Sequence, residues 1–491
     1  MSADMAVRRL DVHLLARELG NWRTATASGP MHQGLSDALR MLIVDGRLPV
    51  GSRLPSERAL ADVLRISRTT VTAAYAQMRD EGYLNAKRGA RSSVALPPQS
   101  SPVTIEPSDA SRERINLAEA AMSAPSSPVL EAYAAASGEI SAYLRLPGLE
   151  LYGVAPLRAA IAERYCQRGL PTEPDQIMVT TGALGAIGLI LATFVEAGDR
   201  VLVEQPTFTG ALAAISAAGA RAVPVSIAPD EGWDLDALHI AIRQLAPNLA
   251  YVIPDQHNPT GLTMTPAQRE QLAHIISDTR TRTIIDETMT DIWLDQPVPP
   301  PVACAVTRRS DLVMSIGSMS KSFWGGLRIG WIRAERATLA TIAARRPSVD
   351  LGTPIFEQLA AAHLLAVTDR VVPERCDLIR NRRALLRRLL AEHLPDWHEC
   401  NVNQPTGGLA LWMRLPIPSS SAVSAAASRL GVDIPPGPRF GVDGTLERYI
   451  RVPYTLPEDT LAEAVSLLAR AWASVVGADL APAAAATGPV V

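Results

Sequence analysis

Lysine is nearly missing from this chain of 491 residues: among its 47 basic side chains only Lys87 and Lys321 are lysines, and arginine supplies the rest. A guanidinium is never deprotonated in a protein, whereas an amine can lose its proton and attack a carbonyl carbon. A lysine kept against such a bias is a candidate for amine chemistry. Cysteine is scarce too. Cys166, Cys304, Cys376 and Cys400 are scattered without metal-ligand spacing, which argues against a zinc site or a disulfide framework and for free thiols in a reducing compartment. The longest apolar run, Ile187 to Val195, is far too short to cross a bilayer. The N-terminus carries acids and arginines in place of a signal peptide's apolar segment, so the expected location is the cytoplasm.

What remains is enough for a large core. Hydrophobic residues make up 47% of the chain, and the length fits two or three domains. The net charge of −3 is unevenly divided: residues 1–98 hold 14 basic and 9 acidic side chains, a net of +5, which leaves −8 for the remainder. A basic module is joined to an acidic body, a pattern that suits nucleic-acid contact without requiring it.

Lys321 lies in the stretch Ser315 to Trp331, SIGSMSKSFWGGLRIGW. The strand pattern of Leu312 to Ile316 runs into Gly317, Ser318, Met319 and Ser320, so the lysine falls just past a buried strand with two hydroxyls beside it. Arg328 follows at the start of a second apolar run, Leu327 to Ile332. Ser318, Ser320, Arg328 and the flexible Gly325 and Gly326 suit a phosphate placed close to an aldehyde-binding lysine.

In the basic module, Gln33 to Asp45 has helical periodicity with Leu35, Ala38, Leu39, Leu42 and Ile43 on one face. Ser56 can cap a short helix through Leu60, Ala61 and Leu64, and Ser67 a third one running to Gly82. These lengths fit a helix-turn-helix, and Tyr83 to Val94 reads as a two-stranded wing whose tip carries Lys87, Arg88 and Arg91. A recognition helix places its N-terminal residues in the major groove. Ser67, Arg68, Thr69 and Thr70 occupy that end, with hydroxyls and a guanidinium suited to phosphates and base edges. A three-helix packing domain with a polar cap is the alternative.

Residues 25–95 are therefore expected to form the head. Residues 96–114, rich in Pro and Ser, form a linker that spans on the order of 55 to 60 Å at ~3.1 Å per residue. Residues 115–476 form the body, and 477–491 an Ala/Pro tail. Strand patterns at Ile177 to Thr180, Val201 to Glu204, Ala222 to Ile227, Ala250 to Pro254, Thr283 to Asp286 and Leu312 to Ile316 alternate with helical stretches. That is the pattern of an α/β domain with a mainly parallel sheet covered on both faces. Ligands in such sheets bind beyond the carboxyl ends of the strands. There Gly182, Ala183 and Leu184 lead into a helix expected from about Gly185, and their N–H groups could hold a phosphate. Phe208 is either a ring-stacking residue or a core residue, and Asp286 either a site carboxylate or a helix cap. Arg451, inside the apolar strand Tyr449 to Pro453, needs an anionic partner, either a ligand carboxylate or an internal salt bridge.

The S-x-S-K segment with Arg328 resembles the cofactor-lysine motif of fold type I aminotransferases. His257-Asn258-Pro259-Thr260-Gly261 resembles another of their segments. The run from Gly51 through Leu84 resembles the GntR winged helix. Together the chain is similar to the MocR/GabR branch of the GntR transcriptional regulators. The resemblance implies pyridoxal 5'-phosphate in a Schiff base with Lys321. It further implies Asn258 on the cofactor's phenolic oxygen, Asp286 on the pyridine nitrogen and Arg451 on the α-carboxylate of an amino-acid effector. It also implies DNA contacts from Arg58, Arg68, Thr69 and Thr70, a wing beside the minor groove, and a homodimer. Two departures stand out: Met289 occupies the place of a tyrosine usual in aminotransferases, and the wing tip lacks the family's glycine-serine-glycine. The expected function is a regulator that binds promoter DNA and senses an amine or amino acid. The competing reading is a transaminase with an accessory N-terminal domain.

Overall fold

The computed structural model describes residues 11–20, 22, 31–44, 48, 52–80, 83–85, 92–94, 114–228, 232–295, 297–400, 407–442 and 444–480. The head holds helices α1 (Val12–Leu19), α2 (Met31–Val44), α3 (Glu57–Leu64) and α4 (Arg68–Asp80), followed by strands β1 (Leu84–Asn85) and β2 (Ser93–Val94). Its core is built from the faces that periodicity marks out: Leu35, Leu39 and Leu42 of α2, Leu60 of α3, and Val71, Ala74, Tyr75 and Met78 of α4. Ser56 caps α3 by accepting from the Ala59 N–H at 3.3 Å, and Ser67 caps α4 by accepting from the Thr70 N–H at 3.1 Å. β1 and β2 pair antiparallel, Leu84 opposite Val94. The wing tip with Lys87 and Arg88 lies outside the described residues, as does the linker up to residue 113.

α1 is a departure from the sequence reading, which began the head at residue 25. Asp11 caps this helix by accepting from the N–H groups of His13 and Leu14, each at 2.9 Å. Leu15 and Leu19 join the head's core. An eight-residue helix that buries two leucines is marginal alone and gives little periodic signal; its packing against α2 and α3 makes it stable.

In the body, β3 (Ile115–Asn116) precedes a mixed sheet of eight strands: β4 (Ile177–Thr180), β5 (Arg200–Gln205), β6 (Arg221–Ala228), β7 (Gly232–Trp233), β8 (Leu249–Val252), β9 (Arg282–Asp286), β10 (Val313–Ser318) and β11 (Gly330–Arg333). Their spatial order is β4-β11-β10-β9-β8-β5-β6-β7. β6, β5, β8, β9 and β10 run parallel, while β11 is antiparallel to both its neighbours and β7 to β6. Two apolar clusters cover the two faces, so β4, β8, β10 and β11 are buried along their whole length. This explains why they read as continuous apolar runs and not as alternating ones. A second sheet joins β12 (His398–Glu399), β13 (Ala410–Arg414) and β15 (Tyr449–Pro453), and β14 (Val432–Asp433) pairs with β3 in parallel.

Two boundaries differ from expectation. The helix after β4 spans Gly182–Phe194, starting three residues earlier than the sequence reading placed it. Gly182, at φ +76°, turns the chain straight out of the strand, which a side chain would resist. The last helix, Glu458–Leu480, continues through Gly477 into the segment read as tail. One glycine costs a helix only about 1 kcal/mol, too little to end one so long.

Candidate cofactor and effector site

A cavity of about 560 Å³ opens at the carboxyl ends of the central strands. It brings together all the expected cofactor residues except Gly182, and it includes Arg451. Lys321 leaves the end of β10 in a single wide helical turn, Ser320–Trp324. Its Nζ donates to the Ala120 carbonyl at 2.7 Å. Burial, reinforced by the Arg451 charge, brings this amine down from the ordinary 10.5 to about 8.

Arg328 faces the first turn of the Gly182–Phe194 helix, where its NH2 donates to the Thr181 carbonyl at 3.3 Å. Space is tight there. A Cβ on Gly182 would sit 2.9 Å from the Arg328 NH2, and one on Gly330 would sit 2.4 Å from the Gly182 carbonyl carbon. Ser318 Oγ lies 3.1 Å from the Ile329 carbonyl oxygen and 3.0 Å from Ser320 Oγ. Gly182 itself lies behind the wall, and its lack of a side chain leaves room for the guanidinium.

On the opposite wall Asp286 ends β9. Its Oδ2 accepts from the Tyr251 hydroxyl at 2.5 Å, and its Oδ1 from the Thr288 N–H at 2.9 Å and from the Thr288 hydroxyl. Burial pushes this carboxyl above the ordinary range, and the donors from Thr288 and Tyr251 pull it back. Sequence reasoning missed Tyr251: 35 residues separate it from Asp286, and only the β8–β9 pairing brings them together. The loop carrying Asn258 rests on a buried polar group that was missed for the same reason. His257 Nδ1 is 2.8 Å from Thr260 Oγ1, its Nε2 is 3.3 Å from Glu204 Oε2, and Glu204 also accepts from Trp233 Nε1 at 2.5 Å.

For Arg451 the internal salt bridge is absent among the described residues. This arginine is buried, yet no carboxylate among the described residues lies within ion-pair distance of it. Its NH1 donates to Asn258 Oδ1 at 3.1 Å and its NH2 to the Ala118 carbonyl at 2.5 Å. The guanidinium sits 5.0 Å from the Phe440 ring centroid, and its buried Nε has no partner. Burial, with the Arg439 charge, lowers it to about 10. Phe208 is half-buried at the cavity edge, and Met289 faces the same space. In the head, Arg58, Ser67, Arg68 and Thr69 are exposed, and Thr70 is half-buried. Ser67 Oγ lies 2.7 Å from each of the Thr69 and Thr70 hydroxyls, and Arg68 is 3.8 Å from Glu57.

A half-buried lysine past the end of a parallel strand, facing a carboxylate across a cleft with a guanidinium at a helix start, defines the fold type I class of aldehyde-binding proteins. Residues 112–468 match the family described as aminotransferase class I and II, and the chain belongs to that family. Residues 32–94 match the bacterial regulatory proteins of the gntR family, which makes the head a DNA-binding domain and gives the whole the MocR/GabR-type architecture. The chain is 29% identical over 453 residues to the uncharacterized HTH-type transcriptional regulator YdcR of Escherichia coli, covering 86% of this chain and 94% of that one. It is 25% identical over 418 residues to the probable rhizopine catabolism regulatory protein MocR of Rhizobium meliloti, covering 79% and 82%. Among solved structures, the α-aminoadipate aminotransferase LysN of Thermus thermophilus, complexed with N-(5'-phosphopyridoxyl)-L-leucine, aligns with a TM-score of 0.67 and 25% identity over 75% of this chain and 94% of that one. The family is pyridoxal phosphate-dependent.

Proposed function

We propose that the protein is a cytoplasmic transcription regulator that carries pyridoxal phosphate on Lys321 and reports the binding of an amine or amino acid to its DNA-binding head. One observation carries this reading. Lys321 is half-buried and Arg451 buried, neither with a carboxylate among the described residues at ion-pair distance, and both are held by backbone carbonyls two residues apart, those of Ala120 and Ala118. These carbonyls belong to the first stretch of body that follows the linker.

The residues present fit the cofactor. Arg328, the N–H groups of Ala183 and Leu184, and the hydroxyls of Ser318 and Ser320 form an anion cradle for its phosphate, and a Cβ at Gly182 would crowd it. Asp286, fixed by Tyr251 and Thr288, would take the pyridine nitrogen, Asn258 the ring oxygen, and Phe208 the ring face. Bound there, pyridoxal phosphate supplies an aldehyde that joins to amines and a ring that draws electrons from the carbon so joined. Lys321, poised near pH 8, offers the neutral amine that such an aldehyde takes up. Arg451 can exchange the Ala118 carbonyl for the carboxylate of a ligand, which accepts two hydrogen bonds in fork geometry.

Both exchanges release the strap of residues 117–121. Upstream, the strap is tied to the body by β3 and by Arg114, whose Nε donates to Asp433 Oδ2 at 2.9 Å and whose NH2 donates to Ser428 Oγ at 2.9 Å. A change in the strap therefore acts next to the linker's point of entry, which is how ligand occupancy would bias the head. Pairing into a homodimer would place two heads on repeated or inverted half-sites.

The test is spectroscopic. The purified protein should gain a visible absorption band on addition of pyridoxal phosphate, and Lys321→Arg should lose the band while keeping its fold by circular dichroism. An unchanged band in Lys321→Arg sinks the assignment. The presence of Lys321, Asp286 and Arg451 in one cleft also favours a second reading, an aminotransferase with an accessory head. Sustained turnover of amino acids with keto acids, combined with no specific footprint on the promoter of its own gene, would decide for it.

A further inference from the structure

The long helix Thr368–His393 packs against the turn that carries Lys321. Arg380, Arg383 and Arg387 of this helix each meet a carboxylate, those of Asp377, Asp295 and Glu399. Arg375 meets none. It is 7% exposed, yet its Nε and NH2 have no hydrogen-bond partner, and no carboxylate among the described residues lies within ion-pair distance of it. Arg382, two turns further along the same face, is half-buried. Its NH1 donates to the Thr455 carbonyl at 2.6 Å, and its buried Nε has no partner. Thr455, just past the end of β15, is itself buried with an unpartnered hydroxyl. Burial and the Arg382 charge bring Arg375 down from 12.5 to about 10. Arg382 feels the charge of Glu458, an exposed residue of the last helix that lies beyond ion-pair distance.

We propose that Arg375, Arg382 and Thr455 form a binding site for a small oxyanion, a phosphate, sulfate or carboxylate group, separate from the cofactor cleft. Buried charges are paired in proteins, and a buried polar atom without a partner marks a missing water or ion. A water does not suffice here. Its lone pairs are too few for the Nε and NH2 of Arg375, the Nε of Arg382 and the Thr455 hydroxyl together, and a neutral molecule leaves both guanidiniums uncompensated. An oxyanion has acceptor sites for all of these donors and brings the opposing charge. Arg375 also presents the right edge: Nε and NH2 form the side of a guanidinium that takes two oxygens of one group in parallel. An anion held there would bridge the long helix to the chain leaving β15, and so brace the strand that carries Arg451.

The experiment follows thermal unfolding of the full-length protein during titration with sodium phosphate, sulfate or acetate, at an ionic strength held constant with sodium chloride. Pyridoxal phosphate is present throughout, so that the Arg328 cradle is not free to take the probe. Tm should rise and saturate with phosphate and sulfate, or with acetate if the natural ligand is a carboxylate. Arg375→Met and Arg382→Gln should each weaken the anion by about tenfold or more, the worth of one hydrogen bond to a charged group, and Thr455→Val should weaken it by less. In buffer without these anions Arg375→Met should unfold at the natural Tm or above, because it removes an unpaired buried charge. Phosphate and sulfate also stabilise folded proteins in general, but that effect does not saturate and the variants share it. A rise that fails to saturate, or that survives unchanged in Arg375→Met and Arg382→Gln, overturns the site. So does loss of a dimer by Arg375→Met in sedimentation, which would give the pairing acid to a second copy of the chain. If Arg375→Met does not fold, Arg382→Gln and the near-isosteric Thr455→Val carry the test, and unchanged anion affinity in both counts against the site.

Discussion

Burial gives Lys321 an amine that is half neutral near pH 8 instead of near 10.5. The rate at which the cofactor-free protein captures pyridoxal phosphate should then rise with pH and level off above about 8, and a midpoint close to 10 in stopped-flow absorbance would contradict the burial argument. The stability consequence has a definite sign. The folded-state value lies below the unfolded one, so between about 8 and 10.5 the unfolded chain binds more protons, and the cofactor-free protein gains stability as pH rises across that window. Arg451 makes a different prediction. A buried guanidinium without a carboxylate partner is held at a cost in stability, since replacing buried charge by packed apolar atoms is often neutral or stabilising. Arg451→Met should match or exceed the natural protein in thermal stability while weakening ligand binding by about 2–5 kcal/mol. A large fall in Tm would show instead that Arg451 is needed for folding.

At the scale of elements, the N-terminal end of α4, proposed to face DNA, separates two effects that a single mutation could confuse. Arg68 is largely exposed and contributes little to packing, so Arg68→Ala should leave the head folded and weaken specific DNA binding by ~1 to 3 kcal/mol if it reads a base. Equal loss on all sequences in a mobility-shift assay would make it a phosphate contact. The same scale shows what the sequence made legible. Strands buried on both faces announce themselves as apolar runs, and Ser56 and Ser67 mark helix starts by chemistry local to each position. Lys321, Asp286 and the Gly182 turn are readable because a strand end or a glycine turn flags them, whereas Asn258 is reached only through the family resemblance. Tyr251, Glu204 and the carbonyls of Ala118 and Ala120 were not readable. Their roles depend on contacts between distant segments, and a backbone carbonyl carries no side-chain signature. Met289 was visible as an anomaly, but its position against the cavity emerged only from the packed loop after β9.

For the whole molecule, two neighbouring loops expose large apolar side chains. Leu144, Leu146 and Leu149 are 74%, 57% and 58% exposed, and Val349 and Leu351 are 52% and 51% exposed. The two loops are tied together: Arg346 donates to the carbonyls of Leu151 and Val179 and pairs with Asp350 at 2.6 Å, and Gly352 packs against the Glu150 backbone. Exposed apolar area on this scale marks an interaction site, and a second copy of the chain is the partner that the homodimer reading requires. Leu144→Asp combined with Leu351→Asp should convert a dimer to a monomer in sedimentation and reduce affinity for a two-half-site operator far more than for a single half-site. A variant that still sediments as a dimer would place the subunit contact elsewhere.

The route from ligand to linker is short. From Ala120, which holds the Lys321 amine, to Arg114, which anchors the chain to the body, is a step of six residues that includes β3. An engineer could therefore cut the chain just ahead of Arg114 and graft a different output module, such as a fluorescent reporter or a split enzyme. Such a hybrid would test the proposed amine-responsive input without redesign of the cleft.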